Sequence, residues 1–338
     1  MRLPAEWEPQ SGVVIAWPDA QTDWAERLPQ VELCYVALAH AITRFEPLLI
    51  LVRSSALGEH VKRLLSGIDA ARLRWLEVAY DDTWLRDSGP LTLLSATGAP
   101  HLLDFCFTAW GGKFEASADD QIVAQLSASG VFHPHERERI GFALEGGAIE
   151  SDGAGTLLST WHCLAERHPD ASAKSITDAL LTHFRAERVL WLDHGSLEGD
   201  DTDAHIDTLA RLVAADAIVY QACDDAADSH FLELKQMAAE LAALRTLDGR
   251  PYRLFALPWP RAIIEDGRRL SASYANFLII NGAVIVPQYD DPADKLACEA
   301  IGVAMPDRQI IGVPARAIIW QNGSLHCLTM QLPAGLLK

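Results

Sequence analysis

The sequence predicts a mixed α/β fold of about five repeated units, each with two strands, a helix and a further strand. Apolar, strand-like runs occur in pairs, and the pairs recur at intervals of roughly 60 residues, which is typical of a supersecondary repeat. A segment with helical periodicity follows each pair. No Pro/Gly/Ser-rich linker interrupts the 338 residues, so we expect one domain over residues 1–338.

The paired runs are predicted to be hairpins because turn-forming residues separate them. The dipeptides Asp-Gly at 152–153, Ala-Asp at 215–216 and Asn-Gly at 281–282 favour chain reversal. An ordinary parallel α/β sheet is the alternative, but hairpins are hard to place in an all-parallel sheet. The expected pairs are 89–94 with 102–107, 147–150 with 156–160, 208–213 with 217–221, and 277–280 with 283–288.

The remaining elements complete the units. Short strands are expected at 188–192 and 252–255, and Asp170 and Asp291 are the expected N-caps of two helices. A further unit is assembled from both ends of the chain, where the run 12–17 pairs with 325–331 and removes free sheet edges. The predicted helices are 28–44, which precedes a strand at 48–52, and 118–129, 171–184, 226–247 and 292–303.

The composition predicts a globular protein with an acidic surface. Hydrophobic residues make up 49% of the chain, too many for a disordered protein, and the formal net charge is −18. A field of that sign repels nucleic acid and anionic lipid and attracts small cations, although acidity also serves solubility. We therefore expect a small cationic ligand, no nucleic-acid partner and no membrane, and we leave homo-oligomer formation open.

The cysteines and the first residues indicate a reducing compartment. The six cysteines form no CxxC pair, and no apolar run follows the start at Met1 and Arg2. The chain also lacks the run of about 18 apolar residues that a bilayer-spanning helix requires. We therefore expect a soluble, cytoplasmic protein with reduced thiols.

Cys327 is the candidate nucleophile. It follows the apolar run 317–320 and a segment with Gly323, where a strand is expected to meet a tight turn. A cysteine reacts as its thiolate, which a histidinium or a cationic substrate can stabilise. A small buried hydrophobe is the alternative for Cys327, and it is the expected role of the other five cysteines.

His205 and Asp207 are predicted to act together. One residue separates them, so an extended segment would point both side chains to the same face, and small or apolar residues alternate with them. The alternatives are a solvated acidic loop and a structural histidine. Four aspartates lie between positions 200 and 207, and their mutual repulsion favours a bound cation or compensating hydrogen bonds.

Glu145 and Asp87 are further candidate acids. Glu145 follows an apolar run and precedes two glycines, which indicates a carboxylate at a strand end beside a backbone that needs freedom; turn capping is the alternative. Asp87 follows Arg86, and these two could form a simple surface ion pair. Trp84 could equally be a core residue.

No metal or cofactor site is predicted. The histidines and cysteines lack zinc spacing, and the aspartates at 200–207 lack the glycine and terminal glutamate of a calcium loop. No glycine-rich phosphate or dinucleotide loop is found in the sequence.

Seven short motifs, taken in order, resemble the agmatine deiminase and bacterial-type peptidylarginine deiminase family of guanidine-modifying enzymes. They are Trp17–Pro18, Asp82–Asp87, Trp110–Lys113, Glu145–Gly147, Asp201–Asp207, Ser273–Phe277 and His326–Cys327. The resemblance covers nearly the whole chain, and it implies a five-bladed, pseudo-symmetric α/β propeller.

The resemblance also implies catalytic roles. Cys327 would attack the guanidinium carbon, ammonia would leave, and a covalent thiouronium would be hydrolysed to a ureido product. His205, assisted by Glu145, would move the protons. Asp87 and Asp207 would bind the planar cation through paired hydrogen bonds.

Trp84, Asp82 and Asp201 are the expected substrate-binding residues. The sequence departs from the usual pattern of the family at Asp81, where Asn is usual, and at Ala204, where Gly is usual. Ala204 implies a backbone angle that a β-carbon tolerates, in agreement with an extended segment. A third departure is the segment 320–324, in place of a glycine-rich run.

The function that the resemblance implies is cofactor-free deimination of agmatine to N-carbamoylputrescine and ammonia, a step of putrescine and polyamine biosynthesis. The acidic surroundings favour this dication over arginine, whose carboxylate would need a partner such as Arg86, Arg211 or Arg316. The alternatives are deimination of arginine or peptidyl-arginine to citrulline, amidino transfer to an amine, and a catalytically silent sensor of guanidino or polyamine ligands.

Overall fold

The computed structural model describes all residues from Met1 to Lys338 and shows a mixed α/β fold with several small sheets. The strands are β1 (Gln10–Ala16), β2 (Leu48–Val52), β3 (Leu73–Glu77), β4 (Leu91–Leu94), β5 (Pro100–Cys106), β6 (Glu136–Ala143), β7 (Glu150–Ser151), β8 (Thr156–Thr160), β9 (Arg188–Leu192), β10 (Ala210–Ala214), β11 (Ala217–Gln221), β12 (Arg253–Leu257), β13 (Ile264–Glu265), β14 (Arg268–Arg269), β15 (Leu278–Ile280), β16 (Ala283–Gln288), β17 (Gln309–Pro314) and β18 (Thr329–Pro333).

Nine helical segments connect these strands, and none combines the length and apolar character that crossing a membrane requires. They are α1 (Leu28–Thr43), α2 (Ser55–Leu64), α3 (Leu85–Ser88), α4 (Ala109–Gly112), α5 (Ile122–Ala128), α6 (Trp161–Arg167), α7 (Ala173–Phe184), α8 (Phe231–Ala243) and α9 (Ala293–Ala304). Short 3₁₀ turns lie at Ala25–Arg27, Ala70–Arg72, Asp119–Gln121, Gly146–Ala148, Ile206–Thr208 and Ile318–Gln321.

Five of the sheets share one strand pattern, in which an antiparallel pair is followed by a parallel neighbour. The pattern occurs in β4-β5-β6, β7-β8-β9, β10-β11-β12, β15-β16-β17 and β18-β1-β2, and β3 extends the last of these. Each parallel connection contains a helix, as parallel strands require. β13 and β14 form a separate hairpin.

The buried middle strands explain the continuous apolar runs in the sequence. β2 and the first five residues of β16 are buried on both faces, so Val, Ile and Leu follow one another without polar alternation. The largest apolar cluster has 51 buried residues and includes Trp17, Trp84 and Cys327. The segment that carries the candidate nucleophile therefore rests on the main core.

The predicted hairpins and the pairing of the two chain ends are confirmed, although β4, β7, β10, β15 and β18 are shorter than predicted. β1 pairs with β18 in antiparallel register, from Gln10 opposite Pro333 to Ile15 opposite Thr329. The predicted helix at 226–247 begins only at Phe231, because Asp225 and Asp228 accept backbone N–H bonds and hold a turn before it.

Neither predicted residue occupies the N-cap position of its helix. Ser172, not Asp170, caps α7, since its hydroxyl accepts the N–H of Ser175 at 3.2 Å. The N-cap of α9 is Pro292 rather than Asp291, although the Asp291 carboxylate, just before the helix, accepts the N–H of Ala293 at 2.8 Å.

The predicted strand through His205 and Asp207 is wrong. His205 precedes a 3₁₀ turn, and Ala204 has φ +70°, in the left-handed region rather than an extended conformation. The cause is Asp200, whose carboxylate accepts the N–H groups of Thr202 at 2.9 Å and Ala204 at 2.8 Å. Such local bonds compete with strand formation.

Candidate active site

A cavity of about 400 Å³ ends at Cys327 and is lined mainly by acids and aromatic rings. The opening of a cavity with this charge attracts a cation with apolar methylene groups. Its acidic residues are Asp23, Glu26, Asp82, Asp87 and Asp201, and Arg268 is the one basic residue. Its aromatic residues are Trp84, Trp110, Phe114 and Trp320.

Asn276 holds Cys327 from two sides. Its Nδ2 donates to the Cys327 Sγ at 3.1 Å, and its Oδ1 accepts the backbone N–H groups of His326 at 3.0 Å and Cys327 at 3.3 Å. One amide therefore fixes both the turn and the thiol. Burial, with the nearby Asp207 and Asp87, raises the pKa of the Cys327 thiol well above its ordinary value.

Asp207 and Asp87 lie beside the thiol. Asp207 Oδ2 is 3.5 Å from Sγ and accepts a hydrogen bond from His326 Nδ1 at 2.7 Å. Although burial opposes it, this bond and the neighbouring cationic groups lower the pKa of Asp207. Asp87 accepts the indole N–H of Trp110 at 2.9 Å, yet burial raises the pKa of Asp87 to about 6.

Gly147 lies at the point where three predicted site residues converge. A β-carbon at this glycine would be 2.6 Å from His205 Nδ1, 2.8 Å from Asp87 Oδ1 and 3.2 Å from Asp207 Oδ2. Its N–H donates to Asp87 at 3.0 Å. The need for glycine here is therefore one of space rather than of backbone freedom, which corrects the reason given for the glycines after Glu145.

His205 lies between two carboxylates and has no well-aligned hydrogen-bond partner. Its Nδ1 is 3.6 Å from Asp87, and its Nε2 is 3.5 Å from Glu145. Burial opposes protonation of the ring, but Asp87, Cys163 and Glu145 outweigh it and raise the pKa of His205 well above its ordinary value. The surroundings of the ring thus favour its protonated form.

Glu145 belongs to a series of ion pairs that also includes Arg167, Asp203 and Lys113. Arg167 Nε donates to Glu145 at 2.7 Å, and its NH1 donates to Asp203 at 2.6 Å. Lys113 donates to the same Asp203 at 2.8 Å. Although burial opposes it, His205 and Arg167 lower the pKa of Glu145, so this buried acid is ionised.

The three predicted substrate-binding residues all line the cavity. Trp84 packs against Trp24, with ring centroids 5.6 Å apart, and against the backbone of Gly323. Asp82 accepts the N–H of Thr83 at 2.8 Å, and burial raises the pKa of Asp82 to about 7. Asp201 is exposed at the mouth, where Asn322 donates to it.

Two groups of side chains have a composition that could hold a metal. One is Glu145, Cys163 and His205, and the other is Glu6, Glu150 and His326. The second group already contacts Arg211 and Arg86, so its negative charge is balanced by arginines. Arg167 plays the same part for Glu145 in the first group.

The structure brings the predicted acids, histidine and thiol into one region, but sequence reasoning missed several of their partners. Asn276 and Trp110 fall in motifs that were recognised, so their positions carried a signal. Arg167 and Arg268 fall in none, and nothing in their local sequence points to this cavity. Arg86 and Arg211, considered as partners for a substrate carboxylate, lie instead in a buried cluster behind the cavity.

The chain belongs to the Porphyromonas-type peptidyl-arginine deiminase family, whose model matches residues 2–333. Among curated proteins it is 32% identical to an agmatine deiminase of Stutzerimonas stutzeri over 361 residues, which covers 99% of this chain and 96% of the relative. The family membership therefore extends over the elements that form the cavity.

Solved structures show the same similarity. A Porphyromonas gingivalis protein provisionally named an arginine deiminase aligns at TM-score 0.92 with 44% identity, covering 100% of this chain and 99% of that one. A C. jejuni agmatine deiminase variant with substrate bound aligns at TM-score 0.92 with 33% identity, covering 99% and 97%. An amidinotransferase of Microseira wollei, at TM-score 0.54 and 12% identity, shares the fold alone.

Proposed function

We propose that this protein hydrolyses agmatine to N-carbamoylputrescine and ammonia through a covalent intermediate on Cys327. The observation that carries the proposal is a buried cluster of charged groups next to the end of an acidic cavity. Asp207 lies 3.5 Å from the Cys327 sulfur, and His205 lies 3.6 Å from Asp87 and 3.5 Å from Glu145. The proposal is supported by family membership and by the agmatine deiminases among its relatives.

In the first half of the reaction, the guanidinium lies between Asp87 and Asp207, with its carbon over the sulfur. The cation stabilises the thiolate, and the thiol proton passes to solvent. Sulfur attacks the guanidinium carbon while the protonated His205 gives its proton to the departing nitrogen. Ammonia leaves, and an S-alkylthiouronium remains on Cys327.

In the second half, neutral His205 accepts a proton from water as the water oxygen attacks the thiouronium carbon. The carbon–sulfur bond breaks and returns the thiolate, and the carbon-bound hydroxyl gives its remaining proton to solvent as the ureido C=O forms. Glu145 keeps His205 in place and favours its charged form. Asp87 and Asp207 hold the cationic carbon centre throughout, which is where electrostatic stabilisation has most effect.

The charge of the cavity favours agmatine over arginine. Five acids line it, whereas a single basic side chain, Arg268, is available for a carboxylate. Arg268 also donates to Asn322 at 2.9 Å and has no carboxylate within ion-pair distance, which keeps free arginine as the second candidate substrate. The relative that is 44% identical supports the same second candidate.

We also propose that the five like-patterned sheets are the blades of a pseudo-symmetric α/β propeller and that residues 1–338 form a single catalytic domain. The repeated strand order and the pairing of β1 with β18 support this arrangement. We further propose that the protein acts on a small guanidine substrate, without a cofactor, in the cytoplasm. The six free cysteines are consistent with a reducing compartment.

The test is a substrate panel with ammonia detection and mass analysis of the product. Agmatine, arginine and a blocked arginine peptide are offered to the parent protein, to Cys327→Ala and to the control Cys298→Ala. We expect the parent and the control to release ammonia from agmatine at the highest kcat/KM, and Cys327→Ala to release none.

Turnover of the peptide alone would identify peptidyl-arginine rather than agmatine as the substrate. A product whose mass shows that an amine has gained an amidino group would indicate a transferase. Unchanged ammonia release by Cys327→Ala would remove the nucleophile from the mechanism. No release by the parent from any guanidine would favour a ligand sensor.

A further inference from the structure

Glu6 is a mostly buried carboxylate that lies behind the cavity and contacts four side chains. Its Oε1 is 3.2 Å from Arg86 NH1 and 2.7 Å from His326 Nε2. Its Oε2 accepts from Arg211, and from Gln331 Nε2 at 3.0 Å. These partners come from α3, β10, β18 and the turn before β18, so one side chain of the N-terminal segment joins distant parts of the chain.

The contacts of Glu6 lead directly to the candidate nucleophile through His326. The two ring nitrogens of His326 face two carboxylates, Glu6 at 2.7 Å and Asp207 at 2.7 Å. The same Oδ2 of Asp207 that accepts from His326 is 3.5 Å from the Cys327 sulfur. Two short polar contacts through the His326 ring therefore connect Glu6 to the acid beside the thiol.

The arrangement fixes the orientation of the His326 ring. With Nδ1–H donated to Asp207, Nε2 lies between the Glu6 carboxylate and Arg211 NH2, which is 2.9 Å away. A ring held at both ends cannot rotate without breaking a buried polar contact, which is costly. In the same way, a carboxylate that orients a histidine determines which nitrogen of the ring donates.

We propose that Glu6 and His326 are a pair of positioning residues for the reaction proposed above, in which Glu6 orients His326 and His326 orients the Asp207 carboxylate toward the sulfur and the substrate guanidinium. The inference rests on the proposed function for its kinetic consequence. Neither residue lines the cavity, so the pair acts through Asp207 rather than by contact with substrate.

The charged groups around this pair come from several elements. Those facing His326 and Glu6 are Asp207, Glu150, Arg86 and Arg211, and those facing Asp207 are His326, His205, Asp87, Arg211 and the Cys327 thiol. Burial raises the pKa of Asp207, and the side-chain hydrogen bond from His326 is the first of the contacts that together lower it. If the His326 ring loses its orientation, the pKa of Asp207 is expected to rise.

The experiment is a double-mutant cycle on kcat/KM for the proposed substrate. Glu6→Gln keeps the size of the side chain and removes its charge, and we expect kcat/KM to fall about 10- to 100-fold, as when a hydrogen-bonding partner behind an active-site ligand is lost. The acidic limb of the pH profile moves to higher pH. Glu8→Gln is the matched control, because Glu8 lies in the same segment but bonds to Arg2 and Ala5 only.

His326→Gln separates positioning from simple support of the fold. If Glu6 acts through His326, the kinetic effect of Glu6→Gln largely disappears in the His326→Gln background. If Glu6 merely balances the charges of Arg86 and Arg211, Glu6→Gln lowers kcat/KM by the same factor with and without His326→Gln, and the proposal is overturned. Retention of kcat/KM within about twofold by a folded Glu6→Gln variant would overturn it as well.

A second readout does not depend on turnover. In protein labelled with ¹⁵N-histidine, the His326 ring resonances are assigned by their absence in His326→Gln, and we expect them to shift in Glu6→Gln but not in Glu8→Gln. If the His326 ring resonances do not shift in Glu6→Gln, the proposal that Glu6 orients His326 is overturned even if the enzyme is active. Failure of the parent to release ammonia from any guanidine would count against the proposed function alone, because the ring resonances still decide whether Glu6 orients His326.

Discussion

The indole ring of Trp84 lies directly on the backbone of Gly323, so that a β-carbon at this glycine would stand 2.3 Å from a ring carbon. Trp84 forms one wall of the cavity and cannot keep its position if position 323 carries a side chain. The glycine is required here because of close packing, since its φ is not in the left-handed region.

Gly323→Ala is therefore expected to displace Trp84 and weaken substrate binding. We expect KM for agmatine to rise about tenfold with a smaller change in kcat, because the wall of the cavity moves while the acids stay in place. Steady-state kinetics measure the change. Gly141→Ala is the control, since a β-carbon there meets no atom within 4 Å, and an equal loss in this control would contradict the argument.

Asn276→Asp tests the amide that holds the thiol. The aspartate keeps an acceptor for the backbone N–H groups of His326 and Cys327 but loses the donor to Sγ and adds a negative charge beside it. Both changes raise the pKa of the Cys327 thiol further. We expect kcat/KM to fall about 100-fold, and the rate of Cys327 alkylation by iodoacetamide, followed by mass spectrometry, to reach its plateau at higher pH. An unchanged alkylation profile would show that the amide does not tune the thiol.

Substrate binding is expected to weaken as the pH falls from 8 to 6. Burial raises the pKa of Asp82 to about 7 and that of Asp87 to about 6, so acidification neutralises two carboxylates that attract the cation. KM for agmatine therefore rises on acidification. In Asp82→Asn, KM is higher at pH 8 and changes less between pH 8 and pH 7; a variant with the parent's full pH dependence would assign the effect to another group.

The same two carboxylates link stability to pH. Their pKa values are raised in the folded state, so the folded protein binds more protons than the unfolded chain from about pH 4 to pH 7, and their contribution to the free energy of unfolding declines as pH rises through that range. A bound dication offsets the loss. Agmatine should therefore raise the Tm of Cys327→Ala more at pH 8 than at pH 6, and equal shifts would contradict this linkage.

Ala204→Gly is expected to stabilise the protein. Ala204 has φ +70°, a conformation that costs a residue with a β-carbon about 1–2 kcal/mol and costs glycine little. After the larger entropy of glycine in the unfolded chain is deducted, we expect a gain of about 1 kcal/mol in the free energy of unfolding in urea. As a control, Ala210→Gly in the buried strand β10 should lower the free energy of unfolding. A lower free energy of unfolding in Ala204→Gly would show that the backbone at Ala204 is not strained.

Much of this architecture is predictable from the sequence because the repeated units are local. The hairpin at 281–282 has turn residues between two apolar runs, and both signals lie within a dozen residues. The pairing of β1 with β18 was predicted because each end of the chain has a strand-like run that belongs to none of the other units. By contrast, the segment at 200–208 alternates like a strand, yet the side-chain bonds of Asp200 coil it, and alternation alone does not reveal that competition.

The candidate site was predictable as a set of residue types but not as a network. Cys327, His205 and the acids stand in recognisable motifs. The partners that tune them, Arg167 beside Glu145 and Glu6 beside His326, are separated from them by 22 and 320 residues. A contact between residues so far apart depends on how the units pack, which a pattern read along the chain does not contain.

The antiparallel pairing of β1 with β18 has a consequence for biogenesis. During translation, β1 has its parallel neighbour β2 early but must wait for residues 329–333 before its other edge is covered. The nascent chain therefore carries an unprotected edge of β1 until β18 has been synthesised, and an unpaired strand edge favours aggregation. Because Cys327 lies two residues before β18, the candidate nucleophile and the strand that covers β1 are synthesised together, and a chain released before them lacks both.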